Sequence, residues 1–145
     1  MSRLTPKMLH HLHRAVQREW AKSGRALPVT QSEFDYLSAI ADQAARPRVE
    51  TGPHGQHLHD IVADLGVSTA SASAMVAKLA RRGLVTRHAC HADARAHHII
   101  LTAAGADLLA QGMEVYAAVA AAFAADSDAE PVSASDICEG GPNGH

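Results

Sequence analysis

Aromatic residues, cysteine and excess charge are scarce in this 145-residue sequence. Aromatic residues make up 3% of the chain, whereas alanine dominates a hydrophobic share of 47%. This composition favours helices that pack through small side chains over a sheet sandwich. The two cysteines, Cys90 and Cys138, lie far apart and predict no disulfide framework. The net charge of −2 excludes a generally basic nucleic-acid binder but leaves room for a local basic patch.

Long apolar runs, targeting signals and catalytic motifs are also missing from the sequence. The alanine-rich stretch 117–125 is too short to span a bilayer. The N-terminal sequence MSRLTPKMLHHLHR lacks the apolar core of a signal peptide. We therefore expect no membrane span and a cytoplasmic location. Without a phosphate loop, a Gly-rich dinucleotide turn or a nucleophile–base pair, the sequence predicts no enzyme.

Residues 60–102 predict two short helices joined by a tight turn. Apolar residues at helical spacing begin at Ile61, and Gly66 follows where a left-handed residue ends a helix. Ser68 can cap the next helix, because its side-chain oxygen can accept from the free amides of the first turn. That second helix should end at Gly83. The order is that of a helix-turn-helix.

A two-stranded hairpin is predicted after these helices. Residues 84–90 and 96–101 are the expected strands, and residues 91–95 form the tip between them. Thr102 can then cap a further helix. A hairpin behind a helix-turn-helix makes a winged helix, a unit that places its second helix in a DNA groove. We therefore predict a mainly α fold with a small β-hairpin wing.

The run GVSTASASAMVAKLARRGLV, followed by DARAHHIILTAAG, resembles the MarR family of bacterial transcription regulators. That family shows a recognition helix ending in Leu-x-x-x-Gly-Leu-Val, an Asp-x-Arg wing, and Leu-Thr-x-x-Gly at the start of a long helix. The matching positions here are Leu79, Gly83, Leu84, Val85, Asp93, Arg95, Leu101, Thr102 and Gly105. The resemblance covers roughly residues 31–123, and its elements agree in order and spacing. It implies a winged helix-turn-helix on a helical dimerisation scaffold.

The same resemblance assigns roles to individual residues at a DNA interface. It implies that Arg95 enters the minor groove, that Asp93 braces the wing, and that Ser71 and Ser73 lie in the major groove. The family often has arginine near the position of Ala74, so shape readout and phosphate contacts should carry more of the binding here. A solvated helix face is the alternative for the two serines. The full predicted DNA-binding set is Ser68, Thr69, Ser71, Ser73, Lys78, Arg82, Arg87, Asp93 and Arg95.

A local basic patch supports this interface. Between Lys78 and His98 five basic residues stand against one acid, so the local charge is +4. Although the chain has no overall positive charge, such a patch provides a local positive potential that can attract the DNA phosphates.

The predicted organisation has four parts. They are an N-terminal dimerisation helix at 1–25, a winged lobe at 30–102 with a long loop at 46–56 and a wing at 84–101, a long dimerisation helix at 103–125, and a flexible tail at 126–145. The apolar stripe of the long helix would stay largely exposed in a monomer, so we expect a homodimer; burial within one chain is the alternative. Two recognition helices on a two-fold axis would bind a palindromic operator in double-stranded DNA.

Histidine is unusually frequent, with eleven in the chain. Imidazole and thiolate groups suit zinc or another transition metal. The candidate ligands are His54, His57, His59, His88, Cys90 and His91. No spacing matches a closed four-ligand motif, so exposed polar histidines are the alternative. Zinc-sensing MarR-family members use histidines on the long helix, and this chain has none between Thr102 and Ala125.

The resemblance implies a repressor whose DNA affinity is changed by an effector. A small aromatic or anionic ligand fits the family, and Arg18, Trp20 and Phe34 are the candidates near the implied cleft. A metal ion such as zinc is the rival effector. The alternative function is a winged helix used for protein contact or metal binding without specific DNA recognition, which the alanine-rich recognition face favours.

Overall fold

The computed structural model describes residues 3–23, 27–45, 58–89 and 97–129. The helices are α1 (Pro6–Ser23), α2 (Gln31–Ala45), α3 (Leu58–Leu65), α4 (Thr69–Arg81) and α5 (Ala103–Ala129), and the strands are β1 (Val85–Ala89) and β2 (His97–Leu101). The fold is mainly helical with one antiparallel hairpin, which confirms the predicted fold class. The loop predicted at 46–56 and the wing tip lie outside the described residues.

The first two helices each begin at a threonine cap. Thr5 Oγ1 accepts a hydrogen bond from the backbone N–H of Met8 at 3.2 Å, and Pro6 occupies the first helical position, which needs no N–H donor. Thr30 Oγ1 accepts from the N–H of Glu33 at 3.1 Å in the same way. Each threonine thereby satisfies an amide that would otherwise lack a partner at a helix start.

The chain divides into two compact units. One contains the described residues up to Ser23 and from Glu114 onward. In this unit the indole of Trp20 is buried and meets the ring of Tyr116 edge-on, with centroids 6.4 Å apart. Such T-shaped pairs are favoured by the ring quadrupoles.

The other unit runs from Leu27 to Met113 and contains the helix-turn-helix and the hairpin. Its core is made mainly of aliphatic side chains from the helices α2, α3 and α4 and from both strands, together with Phe34 and Tyr36 of α2. The largest fully buried side chains are Leu37, Ile40, Ile61, Val76, Leu79, Val85 and Ile99. Residues of the predicted apolar faces therefore do meet in one core.

Gly83 ends α4 in the way its sequence position predicts. Its φ of 72° lies in the left-handed region that glycine adopts without strain. The N–H of Leu84 donates to the carbonyl of Leu79, and that of Gly83 donates to the carbonyl of Ala80, both at 3.0 Å. This pair of bonds is a Schellman motif. It reverses the chain so that Leu84 enters the core and β1 begins.

Thr102 and Gly105 fix the start of α5 against the end of α4. The Thr102 hydroxyl donates to the carbonyl of Gly83 at 2.6 Å and accepts from the N–H of Gly105 at 3.1 Å. The Thr102 N–H donates to the carbonyl of Leu84 at 3.0 Å. A side chain at position 105 would collide with that same Leu84 carbonyl. The Leu-Thr-x-x-Gly sequence is therefore a packing device as well as a helix start.

The hairpin has one face on the core and one face toward solvent. Its register pairs Val85 with Leu101, Thr86 with Ile100, Arg87 with Ile99, His88 with His98, and Ala89 with His97. Val85 and Ile99 are buried. Thr86, His88 and Ile100 are exposed. Arg87 pairs with buried Ile99 but is itself exposed.

Helix α5 extends beyond its predicted end at 125 to Ala129. The segment Ala103–Asp126 is long and apolar enough to cross a membrane by length and composition, with a mean hydropathy of 1.5. The expectation that no stretch is long enough is therefore corrected, because it considered only 117–125. A single helix of this kind is weak evidence for a span, since the core helix of a soluble protein passes the same test. Only 11% of its most apolar window is buried, and alanines form much of its exposed surface.

Candidate nucleic-acid interface

The predicted hydroxyl face lies on the surface of α4. Ser68 has an extended backbone, and its Oγ accepts from the N–H of Ser71 at 3.1 Å, which confirms it as the helix cap. The two serine hydroxyls also bond to each other at 2.9 Å. Ser68, Thr69, Ser71 and Ser73 are all exposed. Short polar side chains at a helix start allow close approach to base edges and phosphates.

Arg87 joins the wing to this helix. It lies on β1, and its guanidinium donates to the backbone carbonyl of Ser73 at 3.2 Å. A guanidinium has five N–H donors, so one such bond leaves most of its capacity for other acceptors. The side chain is exposed. The structure thus brings one predicted cation beside the hydroxyl face. Asp93 and Arg95, the predicted wing contacts, lie outside the described residues.

Lys78 and Arg82 were predicted to contact DNA, and both meet a buried carboxylate. Glu33 of α2 is only 3% exposed. Lys78 Nζ donates to one of its oxygens at 3.2 Å, and Arg82 donates to the other oxygen and to the carbonyl of Pro28. The side chains of Lys78 and Arg82 are 51% and 32% exposed. The two cations therefore attach the end of α4 to α2.

The sequence analysis did not identify this role of Glu33. Its backbone N–H does bond to the Thr30 cap, but its carboxylate crosses to residues 45 and 49 positions away. A pairing at that separation leaves no periodic signal in the sequence. The only local sign was an acid next to predicted core positions of α2, a placement that usually requires a partner.

The metal candidates are only partly described. His59 Nε2 lies 3.2 Å from Asp60 Oδ1, and His88 Nε2 lies 3.3 Å from Thr86 Oγ1. His54, His57, Cys90 and His91 lie outside the described residues. Within the described ranges, no group of three or more His, Cys, Asp or Glu side chains could hold a metal ion.

The effector candidates occupy different environments. Arg18 lines a groove of about 360 Å³ in the first unit, between α1 and the C-terminal part of α5. Trp20 is buried in that unit, whereas Phe34 is buried in the other one. Further lining residues, which the sequence reasoning missed, are His11, Leu12, Glu19, Lys22, Val119 and Phe123. The helical spacing of these residues on α1 and α5 is the sequence pattern that could have identified them.

Comparisons with known proteins agree with this geometry. The MarR family model matches residues 49–97, which include α3, α4 and β1. No curated protein sequence matches the chain.

Several solved structures of MarR-family regulators share the fold. Wild-type apo MarR from E. coli is 21% identical, with a TM-score of 0.60 over 79% of this chain and 78% of that one. The F27L mutant of S. aureus MepR, bound to an oligodeoxyribonucleotide, is 19% identical, with a TM-score of 0.59 over 93% and 90%. BpsR from Bordetella bronchiseptica is 24% identical, with a TM-score of 0.55 over 80% and 83%.

Proposed function

We propose that this chain is a transcription regulator that binds specific DNA. Its residues 49–97 match the MarR family, whose members are transcription regulators and not enzymes. The observation that carries the proposal is the exposed, Ser68-capped face of α4 with Arg87 beside it. A helix of this kind, joined to a wing, fits the major groove. MepR, which shares the fold, has been solved with an oligodeoxyribonucleotide.

Direct contacts are assigned to the residues that present unused hydrogen-bonding capacity. These are Ser68, Thr69, Ser71, Ser73 and Arg87. Of the predicted wing residues, Arg95 is proposed to contact DNA and Asp93 to brace the wing. Lys78 and Arg82 contribute positive potential, but their first role is to neutralise Glu33. Moving both of them to phosphates would leave a buried carboxylate unpaired, which typically costs about 3–5 kcal/mol.

The acting form is a homodimer on a palindromic operator. A large apolar side chain is exposed on each helix expected to form the scaffold, Leu9 on α1 and Met113 on α5, and Leu4 is exposed just before α1. Exposed apolar residues on long helices favour association with a second copy. Two α4 helices related by a two-fold axis would then contact half-sites about one turn of DNA apart.

The regulator acts in the cytoplasm as a repressor whose DNA affinity changes with an effector. The groove between α1 and α5 contains Arg18 and Lys22, the acids Glu19 and Asp126, and the apolar ring of Phe123. The ring and the Arg18 guanidinium support a small aromatic or anionic ligand. DNA binding by BpsR is regulated by 6-hydroxynicotinic acid. A transition metal such as zinc is the rival effector, since imidazole-rich surfaces bind such ions.

Fluorescence anisotropy against DNA from upstream of its own gene tests the proposal. We expect binding that exceeds binding to random duplex and weakens steeply with salt. Arg87→Ala should weaken it more than Arg14→Ala, a matched loss of one positive charge at an exposed position of α1. Equal affinity for both duplexes under every condition would reject specific recognition and favour the alternative, a winged helix that contacts another protein.

A further inference from the structure

Two histidines lie directly opposite each other on the solvent-facing side of the hairpin. The register pairs His88 of β1 with His98 of β2. Residues paired in this way point to the same face, with their Cβ atoms about 4.5–5.5 Å apart. Thr86 and Ile100 form the next pair on that face, and both are exposed. The two imidazoles therefore belong to the same face of the hairpin, on adjacent strands.

The surroundings of His88 favour a ligand role. Its Nε2 lies 3.3 Å from the hydroxyl of Thr86. A hydrogen bond at one ring nitrogen fixes the tautomer and orientation of a metal-ligating histidine, and the other nitrogen then faces the ion. His88 is exposed and His98 is half-buried, so solvent reaches the pair.

We propose that His88 and His98 form a two-histidine chelate for a divalent transition ion of the zinc, nickel or copper type. Neutral imidazole is a preferred ligand of these ions. The proposed chelate has two protein ligands, and water is proposed at the remaining coordination positions. The site is therefore open and exchangeable, unlike a closed structural zinc centre.

The chelate links the two strands of the wing. An ion that binds only the paired strands stabilises the hairpin by mass action. Arg87 is the neighbour of His88 on β1 and bonds to α4, so the ion also restrains a residue of the proposed DNA interface. This effect on DNA rests on the proposed function, whereas ion binding itself does not.

Isothermal titration of the full chain with nickel chloride, and then with zinc chloride, tests the site. We expect a binding step in the wild-type chain and in His13→Ala, a matched loss of an exposed histidine on α1. His88→Ala and His98→Gln should each lower the affinity for the ion by more than tenfold. Removal of a residue that only hydrogen-bonds to a metal ligand, as Thr86 does, already lowers metal affinity by about 10- to 100-fold. Thermal unfolding of each variant without metal establishes that the fold is retained.

The outcomes separate the ligands. Loss in both histidine variants, with Cys90→Ser unchanged, supports the chelate. If His98→Gln leaves the step unchanged, the two residues do not act together and the proposal is wrong. Loss in Cys90→Ser equal to that in His88→Ala would overturn the two-histidine assignment in favour of a thiolate site. An intact ion-binding step in a chain that shows no DNA preference would retain the chelate and reject the regulator.

Discussion

The carboxylate of Glu33, at the start of α2, lies 3.2 Å from the ammonium of Lys78, on the third turn of α4. Arg82, one turn further on, binds the other carboxylate oxygen and the carbonyl of Pro28. A buried acid with two basic partners therefore fixes α4 to α2. Among these three residues, Glu33 should contribute most to the free energy of unfolding, because it is the one that solvent cannot reach.

Glu33→Gln should destabilise the fold. The amide keeps the volume but weakens two charge-assisted hydrogen bonds, and we expect a loss of about 1–3 kcal/mol after allowance for the exposure of the partners. Urea unfolding followed by circular dichroism measures it. Glu19→Gln, which alters an exposed pair with Lys22 on α1, is the matched control and should cost less than about 1 kcal/mol. Equal losses in the two variants would contradict a special role for Glu33.

The same substitution should change how DNA binding depends on salt. With the carboxylate gone, Lys78 and Arg82 become available to phosphates. Each additional phosphate contact steepens the slope of log K against log salt by about 0.9. Anisotropy titrations at several salt concentrations should therefore give a steeper slope for Glu33→Gln than for wild type. An unchanged slope would mean that both cations either contact phosphates already or never reach them.

Gly105→Ala should be costly although it adds one methyl group. The new Cβ would collide with the carbonyl of Leu84, and backbone atoms cannot move aside as a flexible side chain can. Overpacking of this kind costs about 1–3 kcal/mol. Thermal unfolding measures the loss of stability. Ala104→Gly, at the neighbouring exposed position, measures how much the choice between alanine and glycine alone changes the stability of this helix. Full stability in Gly105→Ala would show that α5 can shift at no cost.

Ser68→Ala should loosen the first turn of the recognition helix. The change removes the acceptor for the Ser71 amide, and loss of such a cap costs about 1 kcal/mol. Ser68→Asn should retain the acceptor and the stability without adding a charge. Urea unfolding gives the free energies, and DNA binding gives the functional effect. If the alanine and asparagine variants weaken DNA binding equally while only alanine loses stability, the Ser68 hydroxyl also contacts DNA.

Tyr36 should make the fold sensitive to alkaline pH. Burial raises the pKa of its phenol above the usual value of 10.0, because the charged form loses solvation. A raised pKa in the folded state means that stability is complete below pH 10 and falls as the pH rises through the folded value. Tyr36→Phe should therefore unfold with a weaker pH dependence above pH 10 than wild type. Parallel curves would exclude this residue as the cause.

Local signals explain why most elements could be predicted from the sequence. The positive φ of Gly66 and Gly83, the Ser68 cap and the Thr102 cap all follow from residue types at fixed positions. These features depend only on residues within one turn of the chain. Glycine adopts a positive φ because it has no Cβ, and serine and threonine cap helices because their side-chain oxygens accept hydrogen bonds from free amides.

Long-range partners could not be predicted in the same way. The sequence placed His88 and His98 on adjacent strands, but the residue opposite His88 depends on register, and a shift of one residue would exchange the faces. The contact between Glu33 and the end of α4 likewise requires the tertiary packing of α2 against α4. Residue types identify the candidate DNA contacts in the sequence. Only the tertiary structure shows that two of these candidates, Lys78 and Arg82, already bind the Glu33 carboxylate.

The alanines on the exposed side of α5 have a further consequence for assembly. An alanine side chain has no rotamers to lose, so covering this surface freezes almost no side-chain motion. Each alanine also offers little area, and a stable interface needs about 1,200–2,000 Å² in total. An interface on such a surface would therefore extend along many turns rather than depend on a few large residues. Its specificity would come from how closely two helix axes can approach, and one bulky side chain would hold them apart.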